Sequence, residues 1–524
     1  MSSPDTGKTA VVIGGGVAGL ATAALLGREG FAVTLIEERE ALGGRVGSWE
    51  RDGFRFDTGP SWYLMPEVFD HFFRLLDTST QEQLILTRLD PGYRVFFENH
   101  ADPVNIVADT GANLDTFERI EPGAGGALRR YLDSATDTYR VALRRFLYNT
   151  FASYRPLLVP AVLKRTGRLA RLLLQPLDRF SARFVTDLRL RQILGYPAVF
   201  LGSSPSMTPS MYHLMSHLDL EDGVYYPDGG FAEVIQSLIR VAGREGVTIR
   251  TEARATAITT DEGNRPSVTG VQYADASGAV RHLTADIVVS AADLHHTETV
   301  LLPAKLRSYP EKWWGNRVAG PGAVLVFLGV RDALPELAHH SLFFTADWDE
   351  NFGQIFTEPT SVPNPASIYV CRPSATDAAV APFGHENLFV LVPVPADPTI
   401  GAGGVDGSGD ATVEAVADEV IRQISNWANI PDLADRIVLR RTVGPADFEH
   451  DFHSWRGSAL GPAHTLRQSA FLRGKNISAK VDGLLYAGGT TVPGIGLPMC
   501  LISAELVIKR LRGDTSTTAL SEPL

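Results

Sequence analysis

The tightest constraint on this chain lies in residues 10–45. Ala10-Val11-Val12-Ile13 is a short, unbroken apolar run, which is how a strand buried on both faces of a parallel sheet reads. Gly14-Gly15-Gly16-Val17-Ala18-Gly19 follows with G-x-G-x-x-G spacing. Leu20 to Leu26 then reads as a helix of small residues stopped by Gly30, and Ala32-Val33-Thr34-Leu35-Ile36 as a second strand ending at Glu37. Strand, glycines, helix, strand and acid in that order specify a Rossmann βαβ unit that holds the ADP part of a dinucleotide. Gly14 is expected to make the tight turn, Gly16 to let backbone approach a diphosphate, and Gly19 to let helix pack on strand. The helix N-terminus offers free N–H groups and a positive partial charge to that diphosphate. Glu37 stands 18 positions after Gly19, where its carboxylate can accept ribose hydroxyls. It would repel a 2′-phosphate, so NADP is disfavoured.

Composition narrows the class further. At 524 residues and 44% apolar, the chain has material for two or three domains or one with large insertions. A net charge of −12 argues against a nucleic-acid partner. Two distant cysteines, Cys371 and Cys500, provide neither a disulfide framework nor a four-Cys zinc site, and suit a reducing compartment. No apolar run is long enough to span a bilayer. The apolar stretch near residue 10 lacks a basic leader and is broken by glycines, so it reads as structure and not as a signal peptide. The expected location is the cytoplasm.

Three further segments turn the nucleotide into FAD. Ala41-Leu42-Gly43-Gly44-Arg45 resembles the GG-R motif of amine-oxidase-like flavoproteins, in which the Arg and adjacent backbone bind the FAD diphosphate. Paired glycines permit close approach, and a guanidinium makes fork-shaped contacts to phosphate. Phe54-Arg55-Phe56-Asp57-Thr58-Gly59-Pro60-Ser61 resembles the strand and turn beside the flavin in the same group, which points to Gly59, Pro60 and Ser61. Near the C-terminus, Tyr486-Ala487-Gly488-Gly489-Thr490-Thr491 leads through Val492-Pro493-Gly494-Ile495-Gly496-Leu497-Pro498 into a helical run. Gly488, Gly489, Gly496 and Leu497 are the candidate contacts there. A helix N-terminus aimed at the flavin pyrimidine would stabilise negative charge on the reduced ring. The resemblance also assigns Ala255 a backbone contact to adenine.

Taken with Gly223-Val224-Tyr225-Tyr226-Pro227-Asp228-Gly229-Gly230, these segments resemble the bacterial-type phytoene desaturases, FAD-dependent carotenoid desaturases, over nearly the whole chain. The resemblance implies an α/β fold. A discontinuous Rossmann-type FAD-binding domain would take residues 1–75, 220–300 and 470–512, and a mixed-sheet substrate domain 76–125 and 301–469. A helical, membrane-facing insertion would take 126–219, followed by a disordered tail at 513–524. The sequence departs from the pattern where relatives carry Gly-Thr-His-Pro-Gly, since Thr490-Thr491-Val492-Pro493-Gly494 stands here, and no acid follows Gly488 to hold the ribityl chain.

Residues 126–191 hold fourteen Lys or Arg against four Asp, beside apolar groups such as Pro156 to Leu163 and Leu172-Leu173-Leu174. Basic, apolar and helical together describe a segment that lies on an anionic bilayer, here the inner face of the cell membrane. The alternative is a solvated face with Arg stems packed along the core. Residues 401–410 read as a flexible loop.

The implied reaction is dehydrogenation of phytoene or a related acyclic carotene, with hydride going to flavin N5. Such a reaction needs a long apolar tunnel more than an acid–base dyad, and no catalytic residue stands out. Asp187 and Arg191 read as a plain i,i+4 ion pair, and His213 and His217 lack the companions of a metal site. His295-His296 and His339-His340 carry no assigned role. Gly123–Gly126 and Gly401–Gly404 have no strand before them, so no second nucleotide is expected, and oxygen or a quinone would reoxidise the flavin. A carotenoid isomerase, a ketolase or a C30 or hydroxycarotenoid desaturase could share the scaffold. A prenyl-binding module without redox chemistry would have less need of the GG-R and tail contacts, and an amine oxidase would call for an aromatic cage.

Overall fold

The computed structural model describes residues 7–153 and 166–524. Its organising layer is a five-stranded parallel sheet made of β1 (Thr9–Ile13), β2 (Ala32–Ile36), β3 (Thr248–Arg250), β4 (Ile287–Ser290) and β5 (Leu484–Tyr486), in the order β5-β4-β1-β2-β3. Strands distant in sequence thus share one sheet, so the nucleotide domain is assembled from both ends and the middle of the chain. Helix α1 (Val17–Arg28) is buried from Val17 through Gly27. It packs between the sheet, helix α2 (Phe231–Arg244) and helix α3 (Leu497–Arg512). Its run of Ala and Gly explains this: small side chains let three neighbours approach on all sides. A Cβ at Gly19 would sit 1.8 Å from the Gly14 carbonyl oxygen, and one at Gly27 2.4 Å from that of Glu245.

A second, seven-stranded sheet forms the other half. Its order runs 437–443, 322–331, 385–394, 368–371, 340–344, 93–97, 104–106. Every pairing is antiparallel except that of 93–97 with 340–344, so the sheet is mixed. A three-stranded antiparallel sheet (254–260, 268–274, 280–284) covers β4. This is the α/β, mixed-sheet class expected from the sequence. The described part of residues 126–219 is mostly helical and includes helices at 124–142, 166–174, 177–181 and 188–195. The Pro156–Leu163 apolar group lies outside the described residues. Among the described residues no helix is long and apolar enough to cross a membrane.

Three local expectations are corrected. The C-terminal tail is not disordered. The Lys509 ammonium, fully buried at the end of α3, donates to the carbonyls of Tyr148, Ser516 and Thr518, and Leu524 N donates to Leu75 O. A buried cation needs several acceptors, and the polar tail supplies them. The 401–410 loop is likewise fixed: Asp410, Asp447 and Thr442 side chains accept from the N–H groups of Ala402, Gly403 and Gly404 at 2.7–2.9 Å. Asp187 does not pair with Arg191. It caps the helix at 188–195 and takes Arg189 as its partner at 2.9 Å, because a capping Asp turns towards the first N–H groups and not along the helix.

Candidate functional site

One cavity of about 560 Å³ runs from the C-terminal edge of the parallel sheet to the underside of the mixed sheet. Gly14, Gly16, Glu37, Gly44, Arg45, Gly59, Pro60, Ser61, Ala255, Gly488, Gly489, Gly496 and Leu497 all line it. Gly19 alone of the sequence-predicted residues stands behind the wall, where its role is packing.

The glycines divide into two physical kinds. Gly59 is forced by the protein itself, since a Cβ there would lie 1.9 Å from Arg45 O. Gly16, Gly489 and Gly496 have no protein atom closer than 3.7 Å to a Cβ, and Gly44 and Gly488 none closer than 3.4 Å. Gly44, Gly488 and Gly496 also hold positive φ. Gly16 does not, at φ −76°, so nothing in the protein forbids a side chain there. The space beside it is cavity. Gly16, a glycine that only an occupant of the cradle would require, fits the close approach of a bound diphosphate.

The charges agree. Gly16 begins α1 with no side-chain cap, which leaves the first N–H groups pointing into the cavity. Gly496 does the same for the 16-residue helix α3. Arg45 walls the cavity. Its Nη2 donates to Ser454 Oγ at 2.8 Å, while its Nε is buried with no acceptor. Burial lowers its pKa and the nearby Asp293 opposes this. Asp293 caps the helix at 294–299 through Oδ1 and leaves Oδ2 without a partner. Glu37 accepts from Gly15 N at 2.7 Å and from Arg39 N at 2.9 Å, so its carboxylate is already oriented towards the cavity edge. Beside it, His453 bonds Glu38 at 2.7 Å and stacks on His296 at 4.0 Å. Asp293, His296 and His453 were missed from sequence. The two histidines lie far apart in sequence and meet only through the fold.

Gly230, in the segment read above as a family signature, is explained by Asp57. Its carboxylate accepts from Phe231 N at 2.8 Å and Ala232 N at 3.2 Å, which ties the start of α2 to the turn that carries Gly59. A Cβ on Gly230, at φ +83°, would lie 2.7 Å from Asp57 Oδ2. Burial pushes Asp57 up to about 6 against those two hydrogen bonds.

Beyond Ser61 the cavity turns apolar and aromatic, walled by Trp62, Tyr196, Phe200, Leu342, Phe344, Trp348, Tyr369 and Phe389. The insertion contributes Tyr139, Ala142, Leu147, Val199 and Phe200. Ser61 Oγ is engaged with Tyr369 OH at 2.5 Å, and Tyr369 OH with His340 Nδ1 at 2.8 Å. His339, His340 and Cys371, given no role in sequence, lie together behind this wall. Their donor atoms fall within 4.8 Å of one another, a grouping able to hold a metal that sequence spacing did not reveal. His213 instead bonds Ser134 at 2.9 Å, and His217 bonds Glu221 at 2.7 Å.

The model of the flavin-containing amine oxidoreductases matches residues 17–507. The chain belongs to that family. Within it, the chain groups with the bacterial-type carotenoid desaturases. It is 39% identical to a carotenoid 3,4-desaturase of Haloarcula japonica over 97% of this chain and 99% of that one. It is 35% identical to a zeta-carotene-forming phytoene desaturase of Myxococcus xanthus over 98% and 95%. Among solved structures, an oxidoreductase from Methanosarcina mazei superposes with a TM-score of 0.61 at 16% identity, covering 96% and 100% of the two chains. Cyclohexylamine oxidase from Brevibacterium oxydans superposes at 0.56 and 14% identity, covering 97% and 100%. At these identities the structures share the fold alone.

Proposed function

We propose that this flavoprotein oxidises a C–C single bond of an acyclic carotene of the phytoene class to a double bond. The observation that carries the reading is the continuity of the cavity. Its cradle of open glycines and a guanidinium with an unpartnered Nε passes directly into an aromatic, apolar channel. The near full-length similarity to two carotene-processing enzymes supports the same substrate class.

FAD fits the cradle. Gly16, Gly44, Arg45 and the α1 N-terminus would hold the diphosphate, Glu37 the ribose, Ala255 the adenine, and Gly488, Gly489, Gly496 and Leu497 the pyrimidine side. Asp293, with its free Oδ2, stands in for the acid absent after Gly488. When bound, the flavin supplies a two-electron acceptor for hydride. The chain itself excludes water with Trp62, Phe200, Phe344 and Trp348, and holds the target bond at the mouth of the cradle.

Carotenes dissolve in lipid, so the channel must open towards a membrane. The insertion that walls its far part is the basic segment. Its helix at 166–174 presents Leu174 at 74% exposure beside exposed Arg171. We place the protein peripherally on an anionic membrane surface, with oxygen or a quinone as the acceptor. Incubating FAD-loaded protein with phytoene in anionic liposomes tests the reading. Products with lengthened conjugated absorption are expected, and an unchanged spectrum under air and added quinone would refute it. Flotation with the same liposomes is expected at low salt, and protein left at the bottom would remove the membrane part.

A further inference from the structure

Dehydrogenation removes a proton as well as a hydride, and that proton needs an acceptor beside the channel. Among the described residues lining the apolar channel, polar atoms are few. Tyr196, which follows the helix 188–195, is one of the residues in that wall that carries one. Behind it lies Asp219, on the turn 218–222 and only 5% exposed. Tyr196 OH donates to Asp219 Oδ2 at 2.5 Å, and Tyr93 OH donates to the same oxygen at 2.9 Å. Two phenol donors converge on one carboxyl oxygen, while Asp219 Oδ1 is buried with no partner. Tyr93 does not line the cavity and Tyr196 does. Trp62 packs against both rings, at 5.4 and 6.2 Å between centroids, and directly follows Ser61 beside the flavin cradle.

From this we infer that Tyr196 accepts the substrate proton and relays its own proton to Asp219. The inference rests on the desaturase reading. As one carbon of the bond gives up a hydride to the cofactor, its neighbour loses a proton and that C–H electron pair becomes the second bond of the alkene. The proton joins the Tyr196 oxygen while the phenol proton moves to Asp219 Oδ2. Tyr93 keeps the carboxylate oriented, and water removes the proton between turnovers. Tyr196 touches the substrate, and Asp219 acts through it.

The surroundings suit this use. Burial raises Asp219 to about 7, with the Tyr196 and Tyr93 hydrogen bonds opposing. It therefore changes charge where a base should. The titratable groups facing it from neighbouring elements are Tyr93, Tyr196 and, from the helix 124–142, Tyr131. Burial pushes each phenol far above its ordinary range, so none competes near neutrality. On its own element, His217, Glu221 and Asp222 are tied to one another, with Arg129 on Glu221. The other hydrogen-bonded string at the wall, Ser61–Tyr369–His340, ends on an imidazole that burial holds neutral. Of the other buried carboxylates near the cavity, Asp57 holds the N–H groups of α2, and Asp293 caps a helix through Oδ1 and keeps its open Oδ2 for the cofactor cradle beside Arg45.

The test follows flavin bleaching in FAD-loaded protein by phytoene in anionic liposomes, without oxygen, across pH. For wild type the rate should rise with pH through about 7. Asp219→Asn should abolish the rise and slow bleaching at pH ~8 by at least about a hundredfold, the low side of what a positioned base contributes. Tyr196→Phe should do the same, and the double variant should be no slower than either alone. Isotope-edited infrared spectra of the holoenzyme should show a carboxyl band titrating near neutrality that Asp219→Asn removes. Bleaching in wild type that Asp219→Asn leaves unchanged in rate and pH profile would overturn the relay alone. So would a missing infrared titration. No bleaching of wild type by carotene would overturn the desaturase reading and the relay with it.

Discussion

Alanine at Gly16 and alanine at Gly19 are the same chemical change three residues apart, yet the structure requires opposite outcomes. At Gly19 the new Cβ lies 1.8 Å from the Gly14 carbonyl oxygen, and 3.3 Å from the Ala291 Cβ. Ordinary contact begins near 3.4 Å, so α1 and the first turn must part by about 1.6 Å. Overpacking of this kind typically costs 1–3 kcal/mol, and a backbone obstacle that cannot rotate away puts this case at about 3 kcal/mol or more. At Gly16 the nearest protein atoms are the Gly43 oxygen at 3.8 Å and the Gly44 Cα at 3.9 Å. The apoprotein should not register the methyl group. A diphosphate seated on the α1 N-terminus should, at about 1–3 kcal/mol, which is roughly 5- to 150-fold in affinity. Thermal unfolding of apoprotein and fluorescence titration with FAD separate the two. Gly19→Ala should lower stability of the apoprotein. Gly16→Ala should leave it unchanged and weaken FAD. Wild-type affinity in Gly16→Ala, or equal destabilisation by both, would show that the cavity beside Gly16 is not where the diphosphate sits.

Other perturbations follow from the same geometry. Arg45→Met removes a cation whose Nε has no acceptor in the protein, so the apoprotein should unfold no earlier. FAD titration should show a loss of about 1.5–3 kcal/mol, the worth of charge-assisted bonds to phosphate. Asp57 is raised on folding, from 3.8 to about 6, so the folded state holds the proton more tightly. Its contribution is fully present below about 4 and is lost as pH rises through about 6. Denaturant unfolding of Asp57→Asn across that window should lack this downward slope, and an identical slope in wild type and variant would refute the assignment. Lys509→Met leaves the carbonyls of Tyr148, Ser516 and Thr518 unserved, at about 1–3 kcal/mol. Limited proteolysis should then cut within residues 514–524, which wild type protects.

What could be read in the sequence was whatever is local and periodic. Gly14 to Gly19 and Glu37 declare themselves because a βαβ unit compresses its ligand contacts into one stretch of chain. Gly43-Gly44-Arg45 and Gly488–Leu497 were legible through resemblance, and the fold brings both to the same cavity. Long-range pairings stayed hidden. Gly230 is a glycine because Asp57 fills the space of its Cβ, a relation across more than 170 residues that no spacing encodes. Asp219 is one acid in a Leu-Asp-Leu-Glu-Asp run until Tyr93 and Tyr196 close over it. The tail looked disordered because it is short and polar, and it is ordered because a buried ammonium on α3 needs oxygens. Asp187 with Arg191 failed for a related reason: capping competes with pairing at a helix start, and the backbone won.

The central claim is that one cavity brings a flavin and a long polyene together. Anaerobic stopped-flow mixing of the FAD-loaded protein with phytoene in liposomes, and separately with a primary amine, tests it most directly. The account predicts bleaching of the flavin by the carotene, with one new double bond per flavin reduced, and no bleaching by the amine. Bleaching by the amine with the carotene inert would contradict it.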